Sequence, residues 1–181
     1  MCVRREPRIG IVPLQFGGGQ EGGVRSGTLP THQIAGMGAS YRIARERMRD
    51  DVPRITALRQ ELWTRLRKLP GVSLNGDAER RVCGILSIAI DGVEGESLLY
   101  ALPELAVSSG SACSTIHAEP SYVLRALGRS DRLAQSTLRL SLGRFTTPAE
   151  IELAAQRIES AVARLRACAP RSRSPAHAGS A

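Results

Sequence analysis

The sequence predicts a mixed α/β fold, a small sheet with helices packed on it. Three observations lead there. Short alternating runs at Val72–Leu74, Gly84–Ile90 and Thr137–Leu142 are bounded by turn residues, as half-buried strands are. Between and around them, apolar residues recur at three- and four-residue steps, the helical repeat. Aromatics make up only 3% of the 181 residues, so the core must rest on Leu, Ile, Val and Ala.

Residues 3–12 read as extended, interrupted by Pro7. Residues 15–30 are a glycine-rich loop, with Gly17, Gly18, Gly19, Gly22 and Gly23 inside seven residues. Ordering such a loop costs much backbone entropy, so it is either disordered or its backbone approaches something closely. Arg25-Ser26-Gly27-Thr28 follow, and a helix begins near Leu29-Pro30, where proline suits the first turn. Free N–H groups, a hydroxyl and an arginine at a helix start suit a phosphate or carboxylate. Residues 31–49 predict a helix whose stripe of Ala35, Gly36, Gly38 and Ala39 permits close packing. A second helix is expected over 53–69, with Ile55, Leu58, Leu62, Leu66 and Leu69 on one face, ended by Pro70-Gly71.

Asn75-Gly76 and Asp91-Gly92 close the first two strands. A short helix follows over Glu94–Leu102, then a brief strand at Ala106-Val107. Glu119-Pro120-Ser121 opens a helix that Gly128 stops. Thr146-Thr147-Pro148-Ala149-Glu150 signals a strong helix start, a capping hydroxyl with an acid three residues on, and that helix runs to about Ala167. The tail beyond Pro170 is poor in apolar residues and is expected to be disordered.

The formal net charge is +8, and Lys68 is the single lysine. The arginines spread over helix faces mixed with acids, aromatics for base stacking are few, and no nucleic-acid motif is present. A solvated arginine-rich surface accounts for them better than a nucleic-acid interface. The cluster Arg4, Arg5 and Arg8 would dock an acidic partner. Cys2, Cys83, Cys113 and Cys168 form no CxxC pair and no zinc spacing, which fits a reducing cytoplasm rather than a disulfide framework. The N-terminus has no apolar run after its charges, so no signal peptide is expected, and no stretch approaches the roughly 20 apolar residues of a membrane span.

Two features carry chemistry. Cys113 lies in Val107-Ser108-Ser109-Gly110-Ser111-Ala112-Cys113-Ser114-Thr115, among hydroxyls and a glycine rather than core aliphatics. Access and mobility are what a nucleophilic sulfur needs; the bland alternative is a loop cysteine with no role. In Thr137–Leu142, alternation sets Leu138, Leu140 and Leu142 on the core face and Thr137, Arg139 and Ser141 on the other. Arg139 then faces a cleft or solvent. Its planar fork matches a carboxylate, either a substrate's or that of a neighbouring acid.

Four blocks, GGGQEGGVRSGTLPTHQIAGMG (17–38), LAVSSGSACS (105–114), EPSYVLRALG (119–128) and LRLSLGRFTTPAEI (138–151), together resemble the cysteine desulfurases of iron–sulfur assembly. These are NifS/IscS-like, fold-type-I pyridoxal phosphate enzymes of the class-V aminotransferase family. The resemblance covers nearly all of residues 1–167 and is to the C-terminal portion of such an enzyme. It implies a small C-terminal α/β domain, a mixed or antiparallel sheet flanked by helices, plus an edge of the large domain. Residues 1–45 would be the remnant of the pyridoxal-binding domain and its linking helix, 46–168 the small domain with the cysteine loop, and 169–181 a disordered tail.

The resemblance further implies that Cys113 takes sulfur from L-cysteine as a persulfide, leaving L-alanine, and passes it to acceptors such as an iron–sulfur scaffold protein. As a persulfide, Cys113 would also be a transient ligand to iron–sulfur species. Arg139 would grip the substrate carboxylate. Thr28 would contact the cofactor phosphate across a homodimer interface, with Arg25, Ser26 and Gly27 shaping the turn. The Arg4, Arg5 and Arg8 cluster resembles the family's basic patch for acidic partners.

There are departures. The Schiff-base lysine of the family lies upstream of the matched segment, and Lys68, in RLRKLPG, matches no family lysine. This chain alone is therefore not expected to retain pyridoxal phosphate. The pyridinium-binding aspartate and ring-stacking histidine are also unmatched, and His32 and His117 read as surface or loop residues. Gly22 stands for an arginine, Cys83 for a proline and reads as structural, and the tail does not resemble the scaffold-docking tail. Two other functions stay open: a non-catalytic persulfide carrier or regulatory module, and a basic binding module with decayed chemistry.

Overall fold

The computed structural model describes Arg4, residues 6–7, 9–109 and 120–168. The chain divides into two units, Met1–Met48 and Arg49–Ala181. Helix α1 (Thr31–Leu66) runs through the division and replaces the two helices expected. Pro53, read as a helix start, lies inside it. A proline removes one intrahelical bond by lacking an N–H, here the bond the carbonyl of Arg49 would receive, and the helix continues through.

The second unit is built on a four-stranded antiparallel sheet in the order β1-β2-β4-β3. Its strands are β1 (Val72–Leu74), β2 (Ile85–Ile90), β3 (Ser108–Ser109) and β4 (Thr137–Ser141). Helices α2 (Gly95–Tyr100), α3 (Tyr122–Ala126), α4 (Asp131–Gln135) and α5 (Pro148–Cys168) fill the connections and the end. Register pairs Ile88 with Leu138 and Leu86 with Leu140, so the large aliphatics of the two central strands share one face. That face joins Leu58, Leu62 and Leu66 of α1 and Ile151, Ala155, Ile158 and Val162 of α5 in one apolar cluster. Each such fully buried side chain contributes about 1.5–3 kcal/mol.

Helix α5 starts as expected. Thr147 Oγ1 accepts from the Glu150 N–H at 3.3 Å, and the Glu150 carboxylate accepts from the Thr147 N–H at 2.7 Å and its hydroxyl at 2.9 Å. This reciprocal pair satisfies donors that the first helical turn leaves free.

Other expectations are corrected. None of the described residues from Arg4 to Gln15 is in a strand, because no second strand lies beside them to take up their backbone groups. The brief strand expected at Ala106-Val107 is Ser108–Ser109, set by pairing with Arg139 and Leu138. Thr137 shares the face of Arg139, as the alternation implies, but is buried there. The unanticipated helix α4 covers it, and its hydroxyl donates to the Leu133 carbonyl at 3.0 Å. Among the described residues, no atom beyond the helix's own neighbouring backbone lies within 4 Å of a Cβ built at Gly36 or Gly38 in the small-residue stripe of α1. In the first unit the glycine-rich loop turns at Gln20–Gly23, where Glu21 and Gly22 take φ of 53° and 63°. No helix among the described residues is long and apolar enough to cross a membrane.

Candidate functional site

Arg139 lies on β4 with Ser87 of β2 directly opposite on one side and Ser108 of β3 on the other. Directly paired residues of a sheet point to the same face, so the guanidinium rises from a row of hydroxyls. It is exposed, and no acid among the described residues forms an ion pair with it. Among the described residues the internal carboxylate partner left open by the sequence is not found, which leaves the fork available to an external one.

An amide beneath this row was not read from the sequence. Asn75, in the turn after β1, is 5% exposed. Its Nδ2 donates to Ser87 Oγ at 3.1 Å and to Thr137 Oγ1 at 3.3 Å, and its backbone N–H donates to the Ser87 carbonyl at 2.9 Å. Asn75 thus fixes the residue opposite Arg139 (Ser87) and the one two before it on its own strand. The only sequence signal was Asn75-Gly76, which reads as an ordinary turn.

The Arg25–Thr28 turn belongs to the first unit. Gly27, at φ 102°, lies in the left-handed region that glycine favours. Its N–H donates to Gln20 Oε1 at 3.2 Å, and the buried Ser26 hydroxyl donates to the Gly18 carbonyl at 2.7 Å. Arg25 Nη1 donates to the carbonyls of Gly27 and Thr28 at 3.3 and 3.4 Å. Ser26 and Gly27 therefore hold the turn together, the Ser26 hydroxyl and the Gly27 N–H being spent on it. The exposed Thr28 hydroxyl and the remaining Arg25 N–H groups are what the turn offers a phosphate.

Lys68 is exposed just after α1, in the second unit. The residues present thus fit the phosphate end of pyridoxal phosphate and supply no placed lysine for its aldehyde end. His32 is exposed in the first turn of α1, Arg4 is exposed, Cys83 is a half-buried free thiol and Cys168 an exposed one. Cys113, His117, Arg5, Arg8 and the 169–181 tail lie outside the described residues.

Residues 2–153 match the aminotransferase class-V family. The chain belongs to that family, and its antiparallel sheet and helices are those of NifS-like enzymes: it matches the NifS-like protein of Rickettsia africae with a TM-score of 0.75 at 28% identity, over 84% of this chain and 40% of the other. Among curated relatives it is 54% identical to the cysteine desulfurase IscS of Aeromonas hydrophila over 94% of this chain and 42% of the relative. A further structural neighbour, SspA in complex with cysteine, matches with a TM-score of 0.51 at 27% identity over 75% of this chain and 37% of the other. The chain thus spans about two fifths of the length of the relatives it matches.

Proposed function

We propose that this chain is the sulfur-accepting, carboxylate-binding portion of a cysteine desulfurase. The observation that carries the reading is Arg139, unpaired by any described acid on an open row of hydroxyls and opposite Ser108. Cys113 follows Ser108 by five residues in the sequence. Five residues span at most about 17 Å, so covalent connection alone keeps that thiol within a short reach of the guanidinium. The identity to the Aeromonas hydrophila desulfurase and the cysteine-bound neighbour support cysteine as the substrate.

In this reading Arg139 binds and orients the carboxylate of L-cysteine. The Cys113 thiolate attacks the substrate sulfur and an S–S bond forms. The carbon–sulfur bond breaks, its electron pair stays with carbon, and carbon takes a proton. The products are L-alanine and a Cys113 persulfide, which an acceptor such as an iron–sulfur scaffold protein would receive. Thr28 and Arg25, on the turn held by Ser26 and Gly27, would contact the cofactor phosphate, from a partner subunit if the protein is a homodimer. Residues 1–45 belong in this reading to the pyridoxal-binding domain and 46–168 to the small domain. The anchoring lysine would come from residues outside this sequence, and no step is assigned to the cofactor. Arg4, Arg5 and Arg8 would receive an acidic partner, and the cytoplasm is the expected compartment.

The test is co-expression with the portion of the Aeromonas hydrophila relative that this chain does not match. Expected are alanine release from L-cysteine and a one-sulfur adduct at Cys113 by mass spectrometry. Cys113→Ser should abolish the adduct. Arg139→Lys, which keeps charge and loses the fork, should raise KM for cysteine by roughly tenfold or more. An adduct shared equally with Cys83, or an unchanged KM, overturns the reading. The chain alone, mixed with pyridoxal phosphate and dialysed, should keep no cofactor absorbance; retention would show an anchoring group the proposal does not contain.

A further inference from the structure

In the second unit, two inward-lying arginines form no ion pair among the described residues. Arg59, on α1, is 7% exposed, and its Nη1 donates to the Val82 carbonyl at 3.1 Å. Arg81, half-buried in the segment before β2, donates from Nε to the Asp77 carbonyl at 2.6 Å and from Nη2 to the Asn75 carbonyl at 3.1 Å. Both forks are thus oriented by neutral backbone oxygens, and among the described residues neither guanidinium forms an ion pair. The nearby acid is already taken. The Asp77 carboxylate accepts from Arg80 Nε at 3.2 Å and Nη2 at 3.1 Å, and from the backbone N–H groups of Glu79 and Arg80 at 2.8 Å each.

Arg59 and Arg81 line the same cavity of about 130 Å³, walled on its apolar side by Trp63, Leu74 and Leu86. Cations held in part-dry surroundings are costly unless an anion meets them. Burial, and then the neighbouring Arg59 charge, make the Arg81 cation less favourable than an exposed one, with Asp77 only partly offsetting them. The space is large enough to admit an ion of five heavy atoms. Nε and Nη2 of Arg59 and Nη1 of Arg81, which have no hydrogen-bond partner among the described residues, come from two different segments. An ion with oxygens in several directions can meet both forks at once, whereas the two oxygens of a carboxylate lie in one plane.

We propose that Arg59 and Arg81 form a binding site for a small tetrahedral oxyanion, inorganic phosphate or sulfate, separate from the Arg139 face. Its occupation would tie α1 to the segment that leads into β2. It does not depend on the desulfurase reading, since it requires neither substrate nor cofactor.

The experiment is calorimetric titration of the full chain with sodium phosphate, sodium sulfate and sodium acetate at constant ionic strength set with chloride, alongside thermal melts. Saturable one-to-one binding of phosphate, sulfate or both is expected, together with a rise in melting temperature that chloride does not give. Arg81→Gln should weaken binding at least tenfold while its circular dichroism stays native. Arg164→Gln, which removes an exposed charge on α5 outside the cavity, should leave affinity within about twofold. Arg59→Gln removes a buried packing group and can unfold the chain, so Arg81→Gln carries the test. The site is overturned if both tetrahedral anions behave as chloride does, if acetate binds as tightly as they do, if Arg81→Gln keeps wild-type affinity, or if Arg164→Gln loses as much as Arg81→Gln.

Discussion

The two ends of α1 follow one helical repeat and meet different surroundings. Toward its start, Ile34, Met37, Tyr41 and Met48 are 43%, 56%, 72% and 57% exposed. Toward its end, Ile55, Leu58, Leu62 and Leu66 are 7% exposed or less. Periodicity specifies that a stripe of apolar side chains exists. It does not specify what lies against the stripe, and packing rather than propensity supplies most of a helix's stability in a protein. The buried end has the sheet and α5 in this chain. Under the proposed function, the exposed end would lie against the remainder of a protein of which the matched relatives contain more than twice as much.

Truncating one side chain at each end tests this contrast most strongly. Leu62→Ala removes a 1%-exposed side chain from the core cluster and should cost about 2–5 kcal/mol. Met37→Ala, at 56% exposure, should change stability by no more than about 0.5 kcal/mol. Urea unfolding of the chain measures both. Equal losses would mean the start of α1 is covered in solution.

Glycines extend the comparison at a smaller scale. A Cβ at Gly95, the first residue of α2, would lie 2.0 Å from the Gln135 carbonyl oxygen at the end of α4. Neither backbone can yield cheaply, so Gly95→Ala should cost about 1–3 kcal/mol or more. Gly36→Ala, in the open part of α1, meets nothing within 4 Å and should stabilise by up to about 1 kcal/mol through helix propensity. The same substitution thus reports packing at one site and backbone entropy at the other. A Gly95→Ala variant as stable as the parent would remove the close approach of α2 and α4 from the account.

What was legible in the sequence follows the same line. The alternation of Leu138, Arg139 and Leu140 gave strand and face together, because a period of two needs only neighbouring residues. The Thr147 to Glu150 cap was legible for the same reason. The face of Thr137 was read correctly and its burial was not, because a face of a strand is open only if nothing distant covers it, and the Leu133 carbonyl of α4 does. Pro53 was read as a boundary because a missing N–H usually marks one, although a helix survives losing a single bond. Asn75, Arg59 and Arg81 were not singled out. Their significance arises from meeting residues far away in sequence, Asn75 with Thr137 and Arg59 with Arg81. Thr28 and Arg139 were named through family resemblance as much as through local pattern, and they fall in different units.

The finest contrast lies between two helix starts. Helix α1 has no acid in its first turn, whereas α5 has Glu150. The backbone N–H of Thr147, and next its hydroxyl, hold the Glu150 carboxyl below the ordinary carboxylate range. A pKa lowered by folding adds stability at pH values above the unfolded value, near 4.3 for glutamate, and that contribution is lost as pH falls through the lowered folded value. Acid should therefore loosen the first turn of α5 and leave the start of α1 unaffected through this mechanism. Amide hydrogen exchange at Glu150 and Ile151, followed from neutral pH to below 4 and corrected for intrinsic rates, should show protection falling in the parent. In Glu150→Gln protection should begin lower and stay flat across that range. Asp77, Asp131 and Glu152 are lowered as well, each by bonds to nearby groups, so whole-chain unfolding in acid sums several carboxylates and the difference between the two proteins isolates this one. An identical acid response in the parent and in Glu150→Gln would mean that the cap fixes where α5 begins without contributing to its stability.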